Sequence, residues 1–110
     1  MTSETERIVF LNDLARKAMG VASRVVQTPG VNALPPAERS RIRELVELYD
    51  SFAPDNDPYG EHDSGSFNFN DNRIFWKIDY YDNNFEFGSD HPDNASETAR
   101  VLTIMLAEEY

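Results

Sequence analysis

At 110 residues, 40% hydrophobic and 12% aromatic, the chain is long enough for one core and too rich in aromatics to stay unfolded; residues 1–110 are read as a single domain. It has no cysteine, which excludes a disulfide framework, a thiol nucleophile and cysteine-ligated zinc or iron–sulfur centres. The formal charge of −10 lies wholly in the second half, where thirteen acids face only Arg73, Lys77 and Arg100, so direct binding of nucleic acid or of an anionic membrane is disfavoured.

Ser3 and Glu6 have the spacing of a capping box, and Gly20 suits a helix end. Ile8, Leu11, Leu14, Ala15 and Ala18 recur between them at helical spacing, which predicts an amphipathic first helix. The charged start is unlike a signal peptide and no apolar run approaches membrane-spanning length, so the expected location is the cytoplasm. Ser23–Thr28 is short and β-branched and is ended by Pro29-Gly30, as in a short edge strand. Pro35-Pro36 opens a second helix through about Phe52, with Ile42, Leu45, Val46, Tyr49 and Phe52 on its apolar side and Arg43 and Glu47 paired on a solvated face.

The stretch SFNFNDNRIFWKIDYYDNNFEFG alternates strongly and is interrupted by NDN and DNN. It predicts a meander of three strands near Gly65–Asn70, Arg73–Asp82 and Asn84–Gly88. Ile74, Trp76, Ile78 and Tyr80 then face the core, while Phe75, Lys77, Asp79 and Tyr81 face outward with Glu86 as a neighbour. Asn94 and Glu97 repeat the capping-box spacing, and the apolar run Val101–Ala107 predicts a buried last helix, closed unfavourably for its dipole by Glu108-Glu109. The expected fold is α+β, in the order α-β-α-β-β-β-α: a three- to four-stranded antiparallel sheet covered on one face by three helices.

Three readings compete for the loop DNDPYGEHDSG at 55–65: a metal or catalytic loop, an acidic binding surface, or a turn. Asp55, Asp57 and Gly60 fall at positions 1, 3 and 6 of a calcium loop, but Ser66 stands where the bidentate Glu belongs, and that reading fails. His62 and His91, with Asp63, could still hold a divalent metal in a metal-dependent enzyme, and Asp79 with Glu61 could do acid–base work. Otherwise the acids cap and turn the backbone. No nucleophile elbow or phosphate loop is present, and no cofactor is expected, so the balance favours a protein that is not an enzyme. The charge itself favours a basic, nucleic-acid-binding protein as partner, met by Asp57, Glu61, Asp63, Asp79, Glu86, Asp90 and Asp93, unless it serves solubility alone. The sequence does not specify an oligomeric state.

DNDPYGEHD, WKIDYYD and RVLTIMLAEEY, with TPGVNAL at 28–34 and SDHPDNASETARVL at 89–102, resemble a small bacterial family of unknown function. Its members look like short proteins of alphaproteobacteria, often encoded on plasmids and other mobile elements. The resemblance covers nearly the whole chain and carries no assigned catalytic residue. It implies a setting in which small acidic proteins act as anti-CRISPR or anti-restriction inhibitors by mimicking nucleic acid.

Overall fold

The computed structural model describes residues 3–110. In chain order these form α1 (Glu4–Lys17), β1 (Arg24–Gln27), the single-turn α2 (Pro29–Asn32), α3 (Pro36–Glu47), β2 (Ser64–Phe69), β3 (Asn72–Tyr81) and β4 (Ala99–Leu106). The strands make one sheet in the order β1-β4-β3-β2. β2–β3 and β3–β4 are antiparallel; β1 joins β4 in parallel, Val25 opposite Leu102, so the sheet is mixed. The class is α+β, as expected. No described helix is long and apolar enough to cross a membrane.

Ala15 of α1, Val31 of α2 and Ile42 and Val46 of α3 pack with Ile74, Trp76, Ile78, Leu102 and Ile104 of the sheet to form the core. Trp76 is fully buried, opposite Ile104 on one side and Gly65 on the other. A side chain at Gly65 has no room: its Cβ would lie 2.6 Å from the Tyr49 ring and 2.7 Å from Trp76 Nε1. Ser3 caps α1 by accepting the Glu6 N–H at 3.1 Å, and Gly20 follows at φ 81.

Four elements differ from the sequence reading. The expected last helix is the strand β4. Asn94 does accept the Ser96 N–H, but this cap nucleates only the 3-10 turn Ala95–Glu97. The apolar run that follows holds Val101, Thr103 and Ile104, which suit a strand. β4 lies between β1 and β3; Arg100, Leu102 and Ile104 are buried on its inner face, while its outer face is half-buried at Val101 and Thr103 and buried at Met105, so apolar residues stand on both faces and its sequence does not alternate. The expected strand Asn84–Gly88 is a turn, because Asp82 Oδ1 accepts the N–H groups of Asn84 and Glu86 at 3.1 Å, and only an isolated bridge joins Tyr81 to Gly88. α3 ends at Glu47, and Tyr49 and Phe52 leave it to pack edge-on against Trp76 at 5.5 and 6.2 Å. Pro29-Gly30 opens α2, with Pro29 at the first helical position. Glu109 does not oppose a helix end: it accepts from Thr28 Oγ1 at 2.6 Å and from the N–H groups of Gly30 and Leu106, which hold its carboxyl below the usual range.

Candidate functional site

The face that α1 turns to the core is not wholly apolar: Ile8 and Ala15 share it with Asn12 and Arg16, both buried. Arg16, 2% exposed, donates to the carbonyls of Val46, Glu47 and Tyr49 at 3.2, 3.3 and 2.9 Å. α3 has no basic residue in its own last turn, so Arg16 supplies from α1 the cation that its C-terminal carbonyls attract. The guanidinium lies 5.3 Å from the ring centroids of both Phe52 and Trp76. It also donates to Asp13 at 2.5 Å.

The same Asp13 oxygen lies 3.0 Å from His62 Nδ1. The imidazole is stacked on Phe52, 3.8 Å between centroids and 4° from parallel. Its backbone is left-handed at φ 58, a conformation held by Asp57, whose two oxygens each accept the His62 N–H at 3.3 Å. His62 is therefore fixed by its backbone, its ring face and its Nδ1. Nε2 has no protein partner among the described residues, and the ring borders two clefts. One, of about 400 Å³, lies against Asp13, Lys17, Glu47 and Asp50; the other, of about 430 Å³, lies against Pro54, Pro58 and Tyr59. A carboxylate on Nδ1 is the arrangement that leaves Nε2 able to exchange a proton or bind a metal.

A second buried network adjoins the first. Asn12 Nδ2 donates to Tyr80 Oη at 2.7 Å and to the Glu61 carbonyl at 3.0 Å, and its Oδ1 accepts from Arg100 Nε at 2.8 Å. Tyr80 donates to Glu61 Oε1 at 2.8 Å, and Arg100 reaches the Pro92 carbonyl. Burial pushes the Tyr80 hydroxyl well above its ordinary pKa, so it stays a donor, and burial pulls Arg100 down. This network ties the loop before β2 and the loop after β3 to α1.

The acids expected to face a partner thus lie in different surroundings. Asp57 is 6% exposed and bonds its own loop. Glu61 is bound by Tyr80, and Asp63 is half-buried, its carboxyl raised by that burial and, beyond it, by the charges of Glu61, Asp57 and Asp79. Asp79 lies on the outer sheet face and pairs with Lys77 at 2.8 Å. That face also carries Arg24 and Arg73, by their register with Val101 and Asn68, so it is not an acidic surface. Glu86 is not on the sheet at all; it stands exposed in the turn after β3, and Asp90 is exposed beyond it. Asp93 accepts from Arg7 at 2.8 Å, which holds its carboxyl below the usual range. His91 is exposed in the 89–98 loop, while His62 is engaged by Asp13; among the described residues no group of three or more His, Asp or Glu is placed to hold a metal ion.

The sequence reading missed Asn12, Asp13, Arg16, Tyr80 and Arg100 as members of these networks. One signal was available: Asn12 and Arg16 follow Ile8 at four-residue intervals, so they share the helix face that the apolar pattern assigns to the core. No curated protein and no solved structure matches the chain. A family model described as a protein of unknown function, DUF3768, matches residues 27–109, well over half of the chain, from the end of β1 through the His62 loop to Glu109; the chain belongs to this family.

Proposed function

We propose that the protein is a small non-enzymatic binding protein of a mobile element that occupies the nucleic-acid-binding surface of a basic protein, as an anti-CRISPR or anti-restriction inhibitor does by presenting carboxylates in place of phosphates. The supporting observation is the 82–97 loop, where Glu86, Asp90 and Glu97 are exposed and form no ion pair among the described residues. The test is affinity capture from a host lysate, followed by titration of the captured protein with duplex DNA as competitor. The reading requires that DNA displaces the protein and that the Glu86→Gln/Asp90→Asn/Glu97→Gln triple variant binds more weakly and with a flatter salt dependence. Binding indifferent to both would sink it.

A second reading, a metal-dependent enzyme at His62, is favoured by one observation: the imidazole fixed by Asp13 with Nε2 open to two clefts. Calorimetric titration with zinc and manganese tests it. Stoichiometric micromolar binding lost in His62→Ala supports this reading; heats unchanged by His62→Ala count against it.

A further inference from the structure

The flank of α1 opposite the His62 clefts is apolar and open. Leu11 and Leu14 do not reach the core; they line a cleft of about 410 Å³ with Val21, Ala22, Phe85 and Ala99. A neighbouring cleft of about 380 Å³ shares Leu11 and Ala95 and is walled by Phe10. Of the nine large apolar residues exposed among the described residues, Phe10, Leu14, Val21 and Phe85 line these two clefts, so exposure is concentrated here. The rim is built, not slack. Phe85 sits at φ 57, a rare conformation for an aromatic residue, held by Asp82, whose carbonyl accepts the Phe85 N–H at 3.1 Å, and by Arg24, 4.3 Å from its ring centroid.

The wall that carries Asn83, Phe85 and Ala95 is the 82–97 loop, and that loop also carries Asp82, Glu86, Asp90, Asp93 and Glu97. The clefts also carry cations, but each is engaged: Arg24 lies over the Phe85 ring, Arg100 donates to Asn12 and the Pro92 carbonyl, and Arg7 pairs with Asp93. Glu86, Asp90 and Glu97 remain as exposed charge on the loop beside them, and apolar clefts next to such a loop complement a segment with one apolar and one basic face. The net charge of −10 works against a second copy or an anionic membrane as occupant. We propose that this groove docks a basic amphipathic helix of the partner, its apolar side chains in the two clefts and its cations against the 82–97 loop. The proposal rests on the reading of the protein as a binder of basic partners and adds the partner's secondary structure and the place where it sits.

The test uses the full chain and two fluorescent Leu/Lys peptides of about eighteen residues, or five helical turns. They have the same composition; one gathers its leucines on one helix face and the other spreads them around it. In about 0.15 M salt, near physiological screening, the amphipathic peptide is expected to bind about tenfold more tightly than its permuted twin. Leu14→Asp and Phe85→Asp are each expected to erase that difference without lowering the thermal midpoint. Val21, 91% exposed, gives a further variant, Val21→Asp, should Phe85→Asp fail to fold. Equal affinity for the two peptides, or a preference that survives Leu14→Asp and Val21→Asp, overturns the groove. Equal, salt-sensitive binding of both would do so while leaving the basic-partner reading standing, whereas no binding of either peptide would remove both. A dimer in sedimentation that Leu14→Asp dissociates would assign the groove to a second copy and overturn the proposal.

Discussion

Residues 55–63 and 82–97 read alike in the sequence: each mixes several acids with one histidine, one proline and one glycine. Folded, they use their carboxylates in opposite ways. In 55–63, Asp57 holds the His62 N–H and Glu61 accepts from Tyr80, so charge is turned inward onto donors from the backbone and the core. In 82–97, Asp82 shapes a turn and Asp93 meets Arg7 at the surface, while Glu86 and Asp90 stand in water. What differs is the opposite wall. Residues 55–63 pack over a buried polar cluster, where Asn12 donates to the Glu61 carbonyl and Tyr80 to its carboxylate; the later loop borders apolar Leu11 and Leu14 and meets α1's Arg7 only at the surface. A carboxylate becomes structural where buried donors await it and otherwise remains surface charge.

The largest test of this contrast is Asp13→Ala, which strips buried Arg16 of the one carboxylate that pairs with it among the described residues and frees His62; a loss of about 3–5 kcal/mol in denaturant melts is expected. Asp57→Ala leaves the His62 N–H unsatisfied and is expected to cost about 2 kcal/mol. A melt unchanged by Asp57→Ala would erase the distinction between the loops. pH sharpens it, since the shifts run in opposite directions. Burial raises Asp63, so the folded state holds its proton more tightly, and the stability this gives is present in acid and lost as pH rises through the folded pKa. Asp63→Asn should therefore raise the thermal midpoint at pH 7 relative to wild type and lose that advantage near pH 3. Arg7 lowers Asp93, whose contribution is present above the ordinary carboxylate range and lost as pH falls through the lowered value. Asp93→Asn should therefore slightly lower the midpoint at pH 7 and have no effect in strong acid. The smallest effect belongs to Asp90→Ala, within about 0.5 kcal/mol by denaturant melt, because nothing buried depends on it.

The alternation around Trp76, the cap at Ser3 and the proline pair at 35–36 each have a local cause, and they placed β3, the start of α1 and the start of α3 where the structure has them. β4 failed because its half-buried outer face also carries apolar Val101 and Met105, so the sequence loses the two-residue period and, over eight residues, looks like a buried helix. At the candidate site, His62 and its loop stood out from composition. Asp13, Arg16 and Tyr80 did not, because their roles depend on contacts across the chain: Asp13 to His62, Arg16 to the end of α3, Tyr80 to Asn12.

The parallel pairing of β1 with β4 also bears on the order of folding. β2 and β3 are joined only by Asn70-Asp71, with Asn70 at φ 51, so their hairpin can close in about 1–10 μs. β1 must wait for β4, since Arg24 meets Val101 across most of the chain, and closing so long a loop brings its entropy cost before any contact repays it. Substitutions at Phe67 or Ile74 should therefore slow folding, whereas those at Val25 should chiefly speed unfolding. Until β1 docks, β4 is an open edge rich in Val, Leu and Ile, a template for strands of other molecules. Refolding yield should then fall as protein concentration rises, even though the native sheet covers that edge.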